Sequence, residues 1–301
     1  MTRLALSLLL LPGVLFAASS ANTPSLATYH STVSEVRVTF FTTDENNRTI
    51  ESIRTDDFAI VDDNMVVREF RSLTHSDETE LDIVVMLDTS ESVAPRFAET
   101  MKDVLQLVSQ KQLAADDKIS ILSFGGLQPS VLCTRDCRTA DTDQRLLAVR
   151  PAGATPLFDA LAYGANFISR RQTPGVRPVI VLFSDGDDTI SKTSARDALQ
   201  AVIASGALLY AVDMNRTEGP SPGSAPLRQM AEATGGRYFS IHDGAGNVLQ
   251  AALEDLRASY VVTYHLPSPE AGFHSLRILP KHNLNLRFHC RSGYYYGTNI
   301  P

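Results

Sequence analysis

The sequence has 301 residues, 44% of them hydrophobic and 20% charged, with a formal net charge of −7 at pH 7. That composition supports a packed core and excludes a disordered chain, and the length allows about two domains. The acidic balance argues against a nucleic-acid partner, which would favour a basic face.

The chain opens with Arg3, an apolar run from Leu4 to Phe16, and the small residues Ala17-Ala18-Ser19-Ser20-Ala21. A positive start, a short apolar stretch and a small-x-small site read as a secretory signal peptide over residues 1–21, cleaved after Ala21. The run is shorter than the about 20 apolar residues that a spanning helix needs. No later segment reads as transmembrane. The expectation is an exported protein, in the periplasm, on the cell surface or in the medium.

Residues 30–78 carry strand signals. Val36, Val38 and Phe40 alternate with Arg37 and Thr39, Phe58 and Ile60 start a second alternating run, and Asp62-Asp63-Asn64 turns it towards Val66. Residues 79–257 change period. Continuous apolar runs at Ile83 to Leu87, Ile119 to Phe124, Val179 to Phe183 and Leu208 to Val212 suit strands buried on both faces of a parallel sheet. Helical spacing fills the gaps, at Phe97 to Val108, Leu157 to Phe167, Ser194 to Ser205, Ala225 to Thr234 and Ala245 to Ala258. The alternation predicts an α/β domain, a doubly wound, mostly parallel sheet with helices on both faces. Residues 258–298 return to strands. Each β-rich end is too small to bury a core alone, so the two are expected to pair into one β-sandwich-like domain around the inserted α/β domain.

Of three cysteines, Cys133 and Cys137 are placed for a local disulfide in an oxidising compartment. Cys290 follows Leu284, Leu286 and Phe288 in an alternating run and is expected as a buried free thiol.

Open parallel sheets bind ligands beyond the carboxyl ends of their strands. Asp88 ends one apolar run, Ser90 and Ser92 follow it, Asp185 ends another, and Thr155 opens a helix after Gly153. Two carboxylates and three hydroxyls are hard oxygen donors, which suit Mg²⁺, or Mn²⁺ or Ca²⁺, with room for an outside carboxylate to complete the shell. Each residue alone has a plainer structural reading. Thr155 before Pro156 is an N-cap pattern, either serine can cap the next helix, and Asp185-Gly186 is a turn.

With these motifs in order, residues from about Leu81 to Arg257 resemble a von Willebrand factor A domain. The motifs are Asp88-Thr89-Ser90-Glu91-Ser92, Gly153-Ala154-Thr155-Pro156-Leu157-Phe158-Asp159-Ala160-Leu161, and Phe183-Ser184-Asp185-Gly186-Asp187-Asp188. The resemblance implies a metal-ion-dependent adhesion site. In it Ser90, Ser92 and Thr155 coordinate through hydroxyls, Asp88 and Asp185 act directly or through water, and the partner is a protein offering Asp or Glu. The flanks, Arg54-Thr55-Asp56-Asp57-Phe58-Ala59-Ile60-Val61-Asp62-Asp63 and Arg291-Ser292-Gly293-Tyr294-Tyr295, resemble the bacterial "VWFA-related" family first described in Acidobacteria. Glu91 departs from the small residue common at its position.

The expected function is therefore a non-enzymatic, metal-dependent protein-binding or adhesion module. Mg²⁺-dependent phosphoryl transfer is the enzyme alternative, but Ser90 stands where that chemistry wants a second aspartate as general acid/base. A serine hydrolase is set aside. Gly219-Pro220-Ser221-Pro222-Gly223 matches Gly-x-Ser-x-Gly, yet Pro222 has no N–H for the oxyanion hole. A metal-free scaffold is the third reading.

Overall fold

The computed structural model describes residues 34–76, 79–109, 113–215, 221–240 and 245–297. The signal peptide expected over residues 1–21 lies outside them. Among the described residues no helix is long and apolar enough to cross a membrane.

The chain enters as β1 (Glu35–Thr43), in which Val36, Val38 and Phe40 are buried and Glu35 and Arg37 exposed. β2 (Phe58–Asp62) and β3 (Met65–Val66) form a hairpin. Its central residues Asp63 and Asn64 have φ of 46° and 65°, the left-handed conformation that a two-residue turn needs and Asp and Asn tolerate. β4 (Ser72–His75) leads into the inserted part.

That part runs β5 (Leu81–Asp88), α1 (Phe97–Ser109), β6 (Lys118–Phe124), β7 (Ser130–Cys133), α2 (Ala140–Ala148), α3 (Leu157–Ser169), β8 (Arg177–Ser184), α4 (Ala195–Ser205), β9 (Leu208–Asp213), α5 (Ser224–Thr234), β10 (Tyr238–Ser240) and α6 (Ala245–Arg257). The sheet order is β10-β9-β8-β5-β6-β7, parallel except for β7. β5 and β8 are buried along their whole length because helices cover both faces. Ile83, Val85 and Leu87 pack with α1, α2 and α6, whereas Val84 and Met86 pack with α3, α4 and α5. The mostly parallel α/β architecture is thus as expected.

β11 (Tyr260–His265), β12 (Gly272–Pro280), β13 (Arg287–Cys290) and β14 (Gly293–Tyr296) complete the chain. They form two sheets with the N-terminal strands, ordered β13-β1-β11-β4 and β14-β12-β2-β3. Val38 pairs with Val262, and Ile60 with Ile278. One core of Val38, Phe40, Phe58, Ile60, Val262, Tyr264 and Leu276 lies between the sheets.

Arg177, at the start of β8, secures both crossings between the sandwich strands and the α/β part. Its guanidinium donates to Leu256 O at 2.6 Å and Ser259 Oγ at 3.0 Å on the outgoing crossing, and to the Ser76 hydroxyl on the incoming one. Burial pulls its pKa down to about 10, which still leaves it charged at neutral pH.

The cysteines divide as expected in pairing. Cys133 and Cys137 are bonded, and Cys290 is a free thiol that burial pushes up to about 12. Two details of the Cys290 expectation are corrected. Cys290 is partly rather than fully buried, and Leu284 does not share its face, being 77% exposed in the loop before β13.

His289 precedes Cys290 on β13. It stacks on Phe41 at 4.5 Å, and its Nε2 lies 2.9 Å from Thr43 Oγ1. Burial, with Arg237 and Arg287 nearby, pushes its pKa down to about 4. A depressed folded value means that the unfolded chain takes up the proton first. This contribution to stability is present above pH 6.5 and is lost as pH falls towards 4. Asp88, Asp103 and Asp255, each raised to about 6, slope the opposite way, so the His289 effect is read as a difference. Between pH 7 and 4.5, the wild type should lose more unfolding free energy than His289→Gln, by on the order of 2 kcal/mol after allowing for partial exposure. Urea unfolding at both pH values measures it. Equal losses in the two proteins would show that His289 is not held neutral.

Candidate metal centre

Neighbouring strands β5 and β8 end together, and the helices that follow them, α1 and α4, leave to opposite faces. That divergence opens a crevice at their carboxyl ends, the usual ligand position of a doubly wound sheet. Asp88 is the last residue of β5, and Asp185 follows the last residue of β8.

The Asp88 carboxylate is 1% exposed. Its Oδ1 accepts the Ser90 N–H at 2.9 Å, and its Oδ2 accepts the Ser184 hydroxyl at 2.7 Å. Ser90 Oγ lies 3.0 Å from Ser92 Oγ. Backbone bonds fix this loop: Thr89 N donates to Phe124 O at 2.8 Å, Ala152 N to Thr89 O at 2.7 Å, and Glu91 N to Gly153 O at 3.0 Å. The last two hold the segment that leads into Thr155 against the Asp88–Ser92 loop.

Thr155 is 2% exposed. The N-cap reading of Thr155 is corrected. The cap position of α3 falls to Pro156 with no side-chain capping bond, and the Phe158 and Asp159 amides donate instead to Ser191 Oγ, at 3.0 and 3.1 Å. Thr155 itself is positioned by its backbone. Its N–H donates to Thr189 Oγ1 at 2.8 Å, and its carbonyl accepts from Thr189 N at 2.9 Å.

Asp185 is also buried. Its Oδ1 accepts the Asp187 N–H at 3.3 Å, and its carbonyl accepts Asn215 Nδ2 at 2.9 Å. Burial pushes the Asp88 pKa up to about 6, against the hydrogen bonds from Ser90 and Ser184, and the Asp185 charge pushes the same way. Asp187 is raised by burial and by the charges of Asp185 and Asp213. Carboxylates gathered at a buried edge leave negative charge for a cation to compensate.

All five expected residues therefore stand at one end of the sheet: Asp88, Ser90 and Ser92 joined by direct bonds, Asp185 within electrostatic reach of Asp88, and Thr155 tied in through the backbone. The donor set fits a hard divalent ion. The Ser90–Ser92 oxygen spacing of 3.0 Å matches the about 3 Å between adjacent ligands of an octahedral ion with about 2.1 Å bonds. Glu91 is exposed, with its amide spent on Gly153. Sequence reading passed over Ser184, although it stands inside the third motif. It also passed over Thr189, Ser191 and Asn215, which carry no signal because their partners lie about 30 residues away in the chain.

Residues 83–187, which hold the expected donors, match the model of the von Willebrand factor type A domain. Similar curated proteins include the magnesium-chelatase 67 kDa subunit of Chlorobaculum parvum, 28% identical over 67% of this chain and 35% of that one. The magnesium-chelatase 60 kDa subunit of Rhodobacter capsulatus is 25% identical over 57% of this chain and 32% of its own. The chain thus spans about a third of the length of these relatives. Among solved structures, proximal thread matrix protein 1 from the mussel byssus, with a zinc-occupied MIDAS motif, aligns at a TM-score of 0.48 and 16% identity over 63% of this chain and 48% of that one. The expectation of a non-enzymatic protein is corrected by these matches, since the relatives named above are subunits of an enzyme.

Proposed function

We propose that the chain is an exported, metal-dependent protein-binding module of the bacterial "VWFA-related" type. Ser90, Ser92 and Thr155 hold a divalent cation through their hydroxyls, with Asp88 and Asp185 completing the site directly or through water. Mg²⁺ suits these donors best, ahead of Mn²⁺ and Ca²⁺. A bound dication would supply an open coordination position for an Asp or Glu side chain of a protein partner. The observation that carries this reading is the buried Asp88 carboxylate, held by Ser90 and Ser184 beside a pair of hydroxyls at octahedral spacing. Export rests on the residue 1–21 pattern, and the family placement on the flanking motifs. The magnesium-chelatase relatives favour one kind of partner, another subunit of a larger assembly.

Thermal unfolding with and without millimolar Mg²⁺ tests the site. A ligand that binds only the native state raises Tm, by several degrees once its concentration is about 100 times Kd. The wild type is expected to shift and Asp88→Ala to stay where it is. A wild type that ignores Mg²⁺, or a variant that shifts equally, sinks the proposal. The partner is tested by pull-down from an envelope fraction. Capture should be strong in Mg²⁺ and lost in chelator, and capture indifferent to chelator would reject metal-dependent binding.

A further inference from the structure

A second cluster of ionisable side chains lies in the β-sandwich, among residues of β2, the β2–β3 turn and β12. Asp62, Asp63 and His274 each offer one ligand atom, and these atoms lie within 4.8 Å of one another. Asp62 and His274 are 0% and 2% exposed.

Each of the three side chains is held from behind by its other polar atom. Asp62 Oδ2 accepts the hydroxyls of Tyr264 and Tyr294, at 2.8 and 2.7 Å. Asp63 Oδ1 accepts the Ser275 N–H at 2.8 Å and the Ser275 hydroxyl at 3.3 Å. His274 Nε2 lies 2.8 Å from the carbonyl oxygen of Glu270. A carbonyl only accepts, so Nε2 carries the proton, and in the neutral ring Nδ1 presents a lone pair.

The atoms left over face one another. Asp62 Oδ1 and His274 Nδ1 are buried and without a hydrogen-bond partner. Asp63 Oδ2 is 2.9 Å from Nδ1, but off the line that an N–H there would need. Asp62 Oδ1 is 3.7 Å from Nδ1. Three lone-pair-bearing atoms pointed together are repulsive unless a positive centre sits among them. Arg291 lies within electrostatic reach of Asp62. The separations of 2.9 and 3.7 Å bracket the about 3.3 Å between ligands of a tetrahedral ion with about 2.0 Å bonds.

We infer that Asp62, Asp63 and His274 form a second divalent-metal site, distinct from the Asp88 crevice and suited to a borderline ion such as Zn²⁺. Imidazole nitrogen with two carboxylates selects such ions over Mg²⁺, and a ligand histidine bonded through its other nitrogen to a backbone carbonyl is the usual support of a zinc ligand. The Asp63 side chain is 36% exposed, so the fourth position opens to solvent. One ion here would tie the β2–β3 hairpin to β12.

The test uses the full chain, stripped with chelator, in an Asp88→Ala background, so that the outcome is independent of the first site. Zn²⁺ binding is measured by equilibrium dialysis with elemental analysis, and Tm is followed with and without Zn²⁺. The expected result is one equivalent of Zn²⁺ and a Tm rise of about 3 °C or more at saturation. Adding His274→Gln or Asp63→Asn should weaken binding at least tenfold and abolish the rise. Asn tolerates the left-handed backbone at position 63, so Asp63→Asn retains the turn, and its metal-free Tm verifies folding. The competing arrangement is a protonated His274 clamped between the aspartates. It gives no Zn²⁺ uptake by the Asp88→Ala protein, or uptake unaltered by either substitution, and either result overturns the proposal.

Discussion

Arg237→Ala should lower the unfolding free energy by about 3–5 kcal/mol at pH 7.5, the cost of leaving a buried charge without its partner. Arg237 Nη1 donates to both carboxylate oxygens of Asp255 at 3.0 Å, and Asp255 is fully buried. Thr49 donates to the same carboxylate at 2.8 Å, and Arg237 Nη2 reaches Asn47 O at 3.3 Å. Asn47 and Thr49 lie in the connection from β1 to β2, whereas Asp255 is on α6. Through their bonds to Thr49 and Asn47, Asp255 and Arg237 tie the sandwich to the α/β part, and loss of the pair loosens both.

Burial raises Asp255 to about 6 even with Arg237 present, and without Arg237 the value climbs further. A raised folded pKa gives a contribution that is full below the unfolded value and lost as pH rises through the folded one. The variant should therefore recover stability, relative to wild type, as pH falls from 7.5 to 5. His289 adds to the recovery, because Arg237 is one of the charges holding it neutral. Urea unfolding at the two pH values reads the effect. A loss under about 1 kcal/mol that is the same at both would mean that the pair is solvated and weak.

The parts of the fold that were legible share a physical cause. β5 and β8 are covered on both faces, so they had to be continuous apolar runs, and their ends had to mark the crevice. The amphipathic helices were read from apolar spacing. α2 was missed because it buries little besides Thr142 and Leu146 and is otherwise a polar stretch held by its Thr139 cap. Asp88, Ser90 and Ser92 were legible because they are local in sequence. Ser191 at the amides of α3, and His274 beside Asp63, were not, since those pairs close over 33 and 211 residues, and period and spacing say nothing about such closures. The same limit explains Thr155. Its flanking Pro156 mimics a capping pattern, and only the distant Ser191 reveals that the helix is capped from elsewhere.

Gly186→Ala should damage the Asp88 crevice without touching any of its five proposed donors. Gly186 has φ of +80°, where a side chain is strained, and an added Cβ would run into the Gly223 carbonyl and lie 2.8 Å from Gly223 Cα. Both obstacles are backbone and cannot rotate away, so one of the two loops must move. Gly223 in turn abuts the Asp185 carbonyl, so the displacement falls on Asp185 itself. Left-handed strain and a main-chain clash together should cost about 3 kcal/mol or more. Gly175→Ala separates the two contributions. Gly175 has φ of +87° with nothing within 4 Å of an added Cβ, and it lies in the connection from α3 to β8. It should cost only the conformational part, about 1–2 kcal/mol, and leave the Mg²⁺-induced Tm shift intact. Gly186→Ala should lose at least tenfold in Mg²⁺ affinity as well, because a displaced Asp185 no longer faces Asp88. If Gly186→Ala cost no more than Gly175→Ala and kept the full Mg²⁺ shift, the close approach of the two glycine loops would have no part in shaping the site.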